Sequence, residues 1–161
     1  MDALSIPGST LSDIDLMYFA ENLPITNFKG VYMRDRLPSQ STRSPNESGI
    51  MNLSKSNELG THWICWYCCG EERLFFDSFG LDVPIELEKY LKTHDEYINN
   101  REVIRRNAII VQHINTSECG RLCLFVLKHL SDGASFDEIL QLLKIRYDFN
   151  HEPRIREKEK E

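Results

Sequence analysis

The chain has 161 residues, a formal net charge of −6 from 25 acidic and 19 basic side chains, and five cysteines. Such a length suits one domain that buries roughly two-thirds of the surface its unfolded chain would expose, with no disulfide or metal needed to hold it. The acidic balance gives no general nucleic-acid footprint, since the one compact basic cluster, Arg101 with Arg105 and Arg106, is diluted by Glu102, so charge does not point to DNA as a partner.

The odd cysteine count, with Cys65, Cys68 and Cys69 crowded together, argues for reduced thiols and against a secreted disulfide framework. Without a charged-then-apolar leader or an apolar run of about 18 residues, the expectation is an intracellular chain that does not enter the membrane. Residues 1–150 read as a single domain, and 151–161 as a charged tail too poor in apolar surface to fold alone.

From the N-terminus, Leu11, Ile14, Met17 and Tyr18 recur at helical spacing behind Ser12, which predicts a short amphipathic helix over Leu11 to Ala20, stopped by Asn22-Leu23-Pro24. Asn27 to Leu37 reads as irregular or briefly extended, and the Ser-, Thr- and Pro-rich run from Ser39 to Glu47 as a mobile surface loop. Order is expected to return at Gly49-Ile-Met-Asn-Leu53. Thr61 to Cys69 and Arg73 to Asp77 then read as paired strands.

Side chains alternate along a strand, so His62, Ile64, Trp66 and Cys68 share one face. A four-residue turn at Cys69 to Glu72 or at Gly70 to Arg73 sets Asp77 opposite Ile64 or Trp66 on that face, whereas a three-residue loop turns it away. Asp82-Val83-Pro84 resembles the opening of a helix that presents Leu87, Tyr90 and Leu91. Ala108 to Val111, wholly apolar, suits a strand covered on both sides.

Cys119 to Leu130 is apolar almost all round, as expected of a buried central helix with Cys119 at its N-terminus. A last helix opens at Ser135 with Glu138 three residues on, the spacing of a capping box, and turns Phe136, Ile139, Leu142 and Leu143 to the core.

Four residues carry chemistry in this reading: His62, Asp77, Gln112 and Cys119. A cysteine nucleophile, an imidazole to take its proton, a carboxylate to orient the imidazole and an amide donor for an oxyanion are the parts of acyl transfer. A helix N-terminus beside an imidazolium lowers a thiol pKa from about 8.5 into the range of about 3.5 to 7.5, which favours Cys119 over Cys123 one turn on. Gly120 would let the backbone approach a substrate, and the Cys119 amide would join Gln112 at the oxyanion.

A zinc site built from Cys65, Cys68 and Cys69 with His62 or His113 lacks a second CxxC or HxxxH pair, and on a strand Cys65 and Cys68 face opposite sides. His94, His129 and His151 lack partner patterns and read as surface or packing residues.

Gly49-Ile-Met-Asn-Leu53, Gly60-Thr-His-Trp63, Phe76-Asp-Ser-Phe-Gly80 and Gln112 through Ser117-Glu-Cys-Gly120, in that order, resemble the adenovirus-type cysteine proteases, the adenains, with their relatives in polinton/Maverick elements and virophages. More distantly they resemble the SUMO- and ubiquitin-like-protein proteases. The resemblance implies an α+β, papain-like or adenain-type fold in which a central helix bearing the cysteine packs on a small mixed sheet bearing the histidine and the acid. It implies His62 as general base, Asp77 as its orienting carboxylate, Cys119 as nucleophile and Gln112 as oxyanion donor, with Trp63 shielding the imidazole.

The function so implied is a cysteine endopeptidase of a DNA virus, virophage or mobile element that processes capsid or virion precursors at glycine-containing sites, acting as a monomer in the host nucleus or cytoplasm and in the virion. The adenoviral enzymes are basic and use DNA and a viral peptide as cofactors. This chain is acidic and has no evident peptide-binding edge, so neither cofactor is expected to be required; DNA or an activating peptide enters by resemblance alone. The same machinery would serve a protease that removes SUMO or another ubiquitin-like modifier. An acetyltransferase with a related site and a non-catalytic binding module with a decayed protease fold are the remaining alternatives.

Overall fold

The computed structural model describes residues 6–159 of the chain, and the side chains of those up to Asn150. Five strands form one sheet in sequence order: β1 (Phe28–Met33), β2 (Asn46–Asn52), β3 (Trp63–Cys69), β4 (Glu72–Phe76) and β5 (Arg105–Arg106). The three central strands meander antiparallel, while β1 runs parallel to β2 and β5 parallel to β4, so the sheet is mixed. The helices are α1 (Asp13–Asn22), α2 (Ile85–Leu91), α3 (His94–Ile98), α4 (Cys119–Ser131) and α5 (Phe136–Glu159).

Alternation along β3 divides the core in two. Trp63 and Cys65 point to one face, where they meet Leu122, Cys123 and Val126 of α4, Leu16 and Ala20 of α1, and Phe136, Ile139 and Leu143 of α5. Ile64, Trp66 and Cys68 point to the other, against Leu87, Tyr90 and Leu91 of α2. The central helix on a small mixed sheet is thus present, and Cys65 and Cys68 do lie on opposite faces.

The second face depends on a glycine. A Cβ at Gly49 would come within 2.3 Å of the Trp66 indole, which occupies the space a side chain would need. The indole is itself tethered, because Trp66 Nε1 donates to the Glu47 carboxylate at 2.9 Å. Tyr90 Oη and the Ser44 N–H donate to the same carboxylate at 2.7 Å each, and Lys29 Nζ stands 3.5 Å away. Glu47 therefore sits 3% exposed yet saturated.

Several expectations change. Helix α1 begins two residues later than expected, behind a Ser12–Asp15 capping box, and Ile14, Met17 and Tyr18 face solvent while Leu16 and Ala20 are buried. Two apolar stripes compete in this segment, and the one that wins carries small Ala20 and continues into Leu23 at i, i+4, i+7 spacing. The Ser39–Glu47 loop is shorter than expected, with a 3₁₀ turn at Gln40–Thr42 and β2 starting at Asn46. Asn27 to Leu37 contains a strand, β1, whose register with β2 shifts between Phe28 and Val31.

Ala108 to Val111 forms no strand, and Ile110 is half exposed. Asn107 takes the place of a ladder here: its side-chain oxygen accepts from the Asp77 N–H at 3.1 Å, and its Nδ2 donates to the carbonyls of Asp77 at 2.6 Å and Ile109 at 3.1 Å. Helix α5 has the expected Ser135–Glu138 cap, with the Glu138 N–H donating to Ser135 Oγ at 3.1 Å, but Leu142 points outward. The charged segment after Phe149 continues α5 as far as Glu159; residues 160 and 161 lie outside those described.

Candidate active site

Hairpin register sets the histidine and the acid together. The β3–β4 pairs run from Cys69 with Glu72 to Cys65 with Phe76, so the next position places Asp77 beside Ile64, one of the two registers open to the sequence. His62 and Asp77 each stand one residue beyond their strand, and His62 Nε2 lies 2.7 Å from Asp77 Oδ1. The same oxygen accepts the Phe79 N–H at 2.8 Å, which holds the carboxylate while the ring is held by the carboxylate. With Nε2 so engaged, Nδ1 is the nitrogen left for Cys119.

Cys119 is the first residue of α4, whose opening N–H groups lack intrahelical partners. The Trp63 N–H points at its Sγ at 3.5 Å. Burial pushes the Cys119 thiol up, but the bond to His62 and the N–H groups of Trp63 and Gly120 outweigh it and leave its pKa below the ordinary value. Burial likewise works to lower the His62 pKa, yet Asp77 and Cys119 together raise it to about 9. Both shifts act toward one state, thiolate beside imidazolium. Cys123, fully buried one turn on, has its pKa pushed well up by burial and by Cys65.

Gln112 is 2% exposed and its orientation is fixed. Its Nε2 donates to the Thr116 carbonyl at 2.9 Å and its Oε1 accepts the Ser78 hydroxyl at 2.5 Å. A carbonyl only accepts, so the amide nitrogen has to face Thr116, and its second N–H is left for a ligand. His62, Gln112 and Cys119 line one cleft of about 690 Å³, with Leu11 and Asp13 from the N-terminal segment and Ile114 and Ser117 opposite. All four residues singled out in the sequence thus converge.

Two neighbours of these residues do not sit as expected. The imidazole is covered by Phe79, stacked on it with ring centroids 4.6 Å apart, whereas Trp63 turns its indole into the core and donates to the Leu11 carbonyl at 2.8 Å. Gly120 serves packing: a Cβ there would meet Leu16, Trp63 and Leu11 at 3.3 to 3.4 Å, so the missing side chain admits α1 and Trp63, not a substrate.

Asn52, Ser78, Phe79 and Asn107 support the four from outside that set. Asn52 Oδ1 accepts from Ser54 N at 2.9 Å and Thr61 N at 3.2 Å, bracing the approach to His62. Ser78 and Phe79 sit in the Asp77-Ser-Phe-Gly80 turn, closed by the Gly80 N–H to the Asp77 carbonyl at 2.8 Å with Gly80 at φ +68°. Their adjacency to the acid was a readable signal. Asn107 offered none.

The elements and the centre define a mixed α+β fold that brings a thiol, an imidazole and an amide into one cleft, with a buried carboxylate bonded to the imidazole. No protein-family model matches the chain, and no curated protein matches it. Among solved structures it is similar to the crystal structure of the ASFV pS273R protease, at 15% sequence identity and a TM-score of 0.49, over 83% of this chain. The chain spans 62% of that structure's length.

Proposed function

We propose that this chain is a cysteine endopeptidase whose nucleophile is Cys119. One observation carries the reading: His62 stands between Asp77, 2.7 Å from Nε2, and a cysteine at a helix N-terminus whose pKa is lowered by that same imidazole. In this mechanism Cys119 Sγ attacks the scissile carbonyl carbon while His62 delivers its proton to the leaving amine. The thioacyl-enzyme is then hydrolysed by a water whose proton His62 accepts. The free N–H of Gln112 and the Cys119 N–H receive the oxyanion.

The finer reading is a maturation protease of a DNA virus, virophage or mobile element that acts as a monomer on capsid or virion precursors at glycine-containing sites. Its support is the ordered set of motif blocks around these four residues. The testing experiment has two parts: site-resolved alkylation of the five cysteines against pH in wild type and His62→Ala, and cleavage of Gly-Gly and Gly-X-Gly peptides, each with and without duplex DNA. Fast reaction of Cys119 alone below pH 8 that His62→Ala removes, with cleavage after glycine, is the expected result. A Cys119 as slow as an ordinary thiol would refute the mechanism, and equal cleavage of alanine-substituted peptides would refute the glycine preference.

A further inference from the structure

Resting on the acyl-transfer reading, we infer that Ser78 is a positioning residue for the oxyanion hole, acting through Gln112. Ser78 is fully buried, so its hydroxyl meets neither substrate nor solvent. Its Oγ lies 2.5 Å from Gln112 Oε1, and its backbone carbonyl accepts the Val111 N–H at 2.9 Å, so the residue after the acid grips the oxyanion segment by side chain and main chain at once. On the far side the Gln112 Nε2 bond to Thr116 at 2.9 Å closes the clamp. The Thr116 carbonyl dictates which end of the amide faces it, and Ser78 stops the other end from swinging, so the second N–H keeps one direction.

Asp77 and Ser78 thus divide two tasks between adjacent residues. The first orients the base, and the second orients the group that receives the negative charge. Without the Ser78 hydroxyl, Oε1 is left buried and unpaired, and the amide rotates or draws in water, spoiling an arrangement whose value lies in being fixed before charge develops.

Two reactions of the same sulfur separate this role from simple structural support. With 4-nitrophenyl acetate, Cys119 Sγ bonds to the acetyl carbon through a tetrahedral oxyanion, and the ester C–O bond breaks to release nitrophenolate. Water then frees acetate and restores the thiol. With iodoacetamide, Sγ displaces iodide at an sp³ carbon and no oxyanion forms. Ser78→Ala is expected to slow acylation of Cys119 by roughly tenfold or more while leaving its alkylation rate and pH profile unchanged. Ser78→Cys, which keeps a weak donor of similar size, should fall between the two and serves as the test variant if Ser78→Ala does not fold.

The decisive comparison is a double-mutant cycle. If Ser78 works through Gln112, Ser78→Ala/Gln112→Ala acylates no more slowly than Gln112→Ala alone. Acylation within twofold of wild type, multiplicative losses in the double variant, or an equal fall in alkylation would each overturn the inference. If wild-type Cys119 is acylated no faster than a free thiol, the acyl-transfer reading fails instead, and the inference with it.

Discussion

Ionisation at the site makes its pH dependence predictable residue by residue. Acylation should rise as Cys119 loses its proton, below the ordinary thiol value of about 8.5, and fall as the imidazolium loses its own near pH 9. These limbs belong to the coupled pair, so His62→Ala should abolish the acid-side advantage while Cys119→Ala leaves a folded, inert protein. Gln112→Ala should lower turnover roughly a hundredfold with little change in KM, measured on whichever peptide the wild type cleaves. The convergence of His62, Asp77 and Cys119 was legible because each stands at the edge of a readable strand or helix, whereas Gln112 follows a segment that forms no strand. Phe79 was misjudged in favour of Trp63 because chain adjacency to His62 does not say which ring lies over it: Trp63 continues the strand and turns into the core, while Phe79 returns from the neighbouring turn. Asn107 escaped notice because an isolated asparagine that mimics a strand by its side chain has no periodicity.

Among the elements, the sharpest stability prediction concerns the contact between β2 and β3. Gly49→Ala should cost roughly 3 kcal/mol in chemical denaturation, since the added methyl meets an indole that its bond to Glu47 prevents from moving. Helix α1 gives a paired test: Leu16→Ala, at a fully buried position, should cost about 2–5 kcal/mol, and Ile14→Ser, at one 76% exposed, less than about 0.5 kcal/mol. The periodicity alone favoured the opposite ranking. A third prediction rests on Glu96, which caps α3 at Thr93 N, 2.8 Å away, and accepts from Arg73 of β4 at 2.7 Å. The bond to Arg73 lowers its pKa to about 2, so its contribution is complete above the unfolded value of about 4.3 and is lost as pH falls through 2. The melting difference between wild type and Glu96→Gln should therefore shrink toward zero across that window. Helices were legible from an apolar run, as at Cys119, or from a capping box beside one, as at Ser135. Strands at the sheet margins were not, because β1 and β5 are set by what they pair with, and neither Phe28–Met33 nor Arg105–Arg106 has an alternating pattern of its own.

Over the whole molecule, the sheet joins two apolar clusters while its open end, where β3 begins and β4 finishes, carries His62 and Asp77. The general plan could be read from the order of apolar segments, since a central helix after a hairpin leaves few ways to cover both faces. The parallel edges could not, as they depend on contacts between distant parts of the chain. That distance has a consequence for how the protein comes into being. Cys119 receives an N–H from Trp63, 56 positions earlier, and the imidazole from the residue before that. In the unfolded or half-made chain it is one ordinary thiol among five. On the proposed mechanism its nucleophilicity is thus a product of completed folding, and a nascent copy would carry no armed sulfur with which to attack its neighbours. Pulse-labelling with iodoacetamide during refolding would time the final docking of α4 on the hairpin: the fast phase should appear only as native near-UV ellipticity returns. A thiol already fast in the collapsed chain would mean that the pair assembles before the core does.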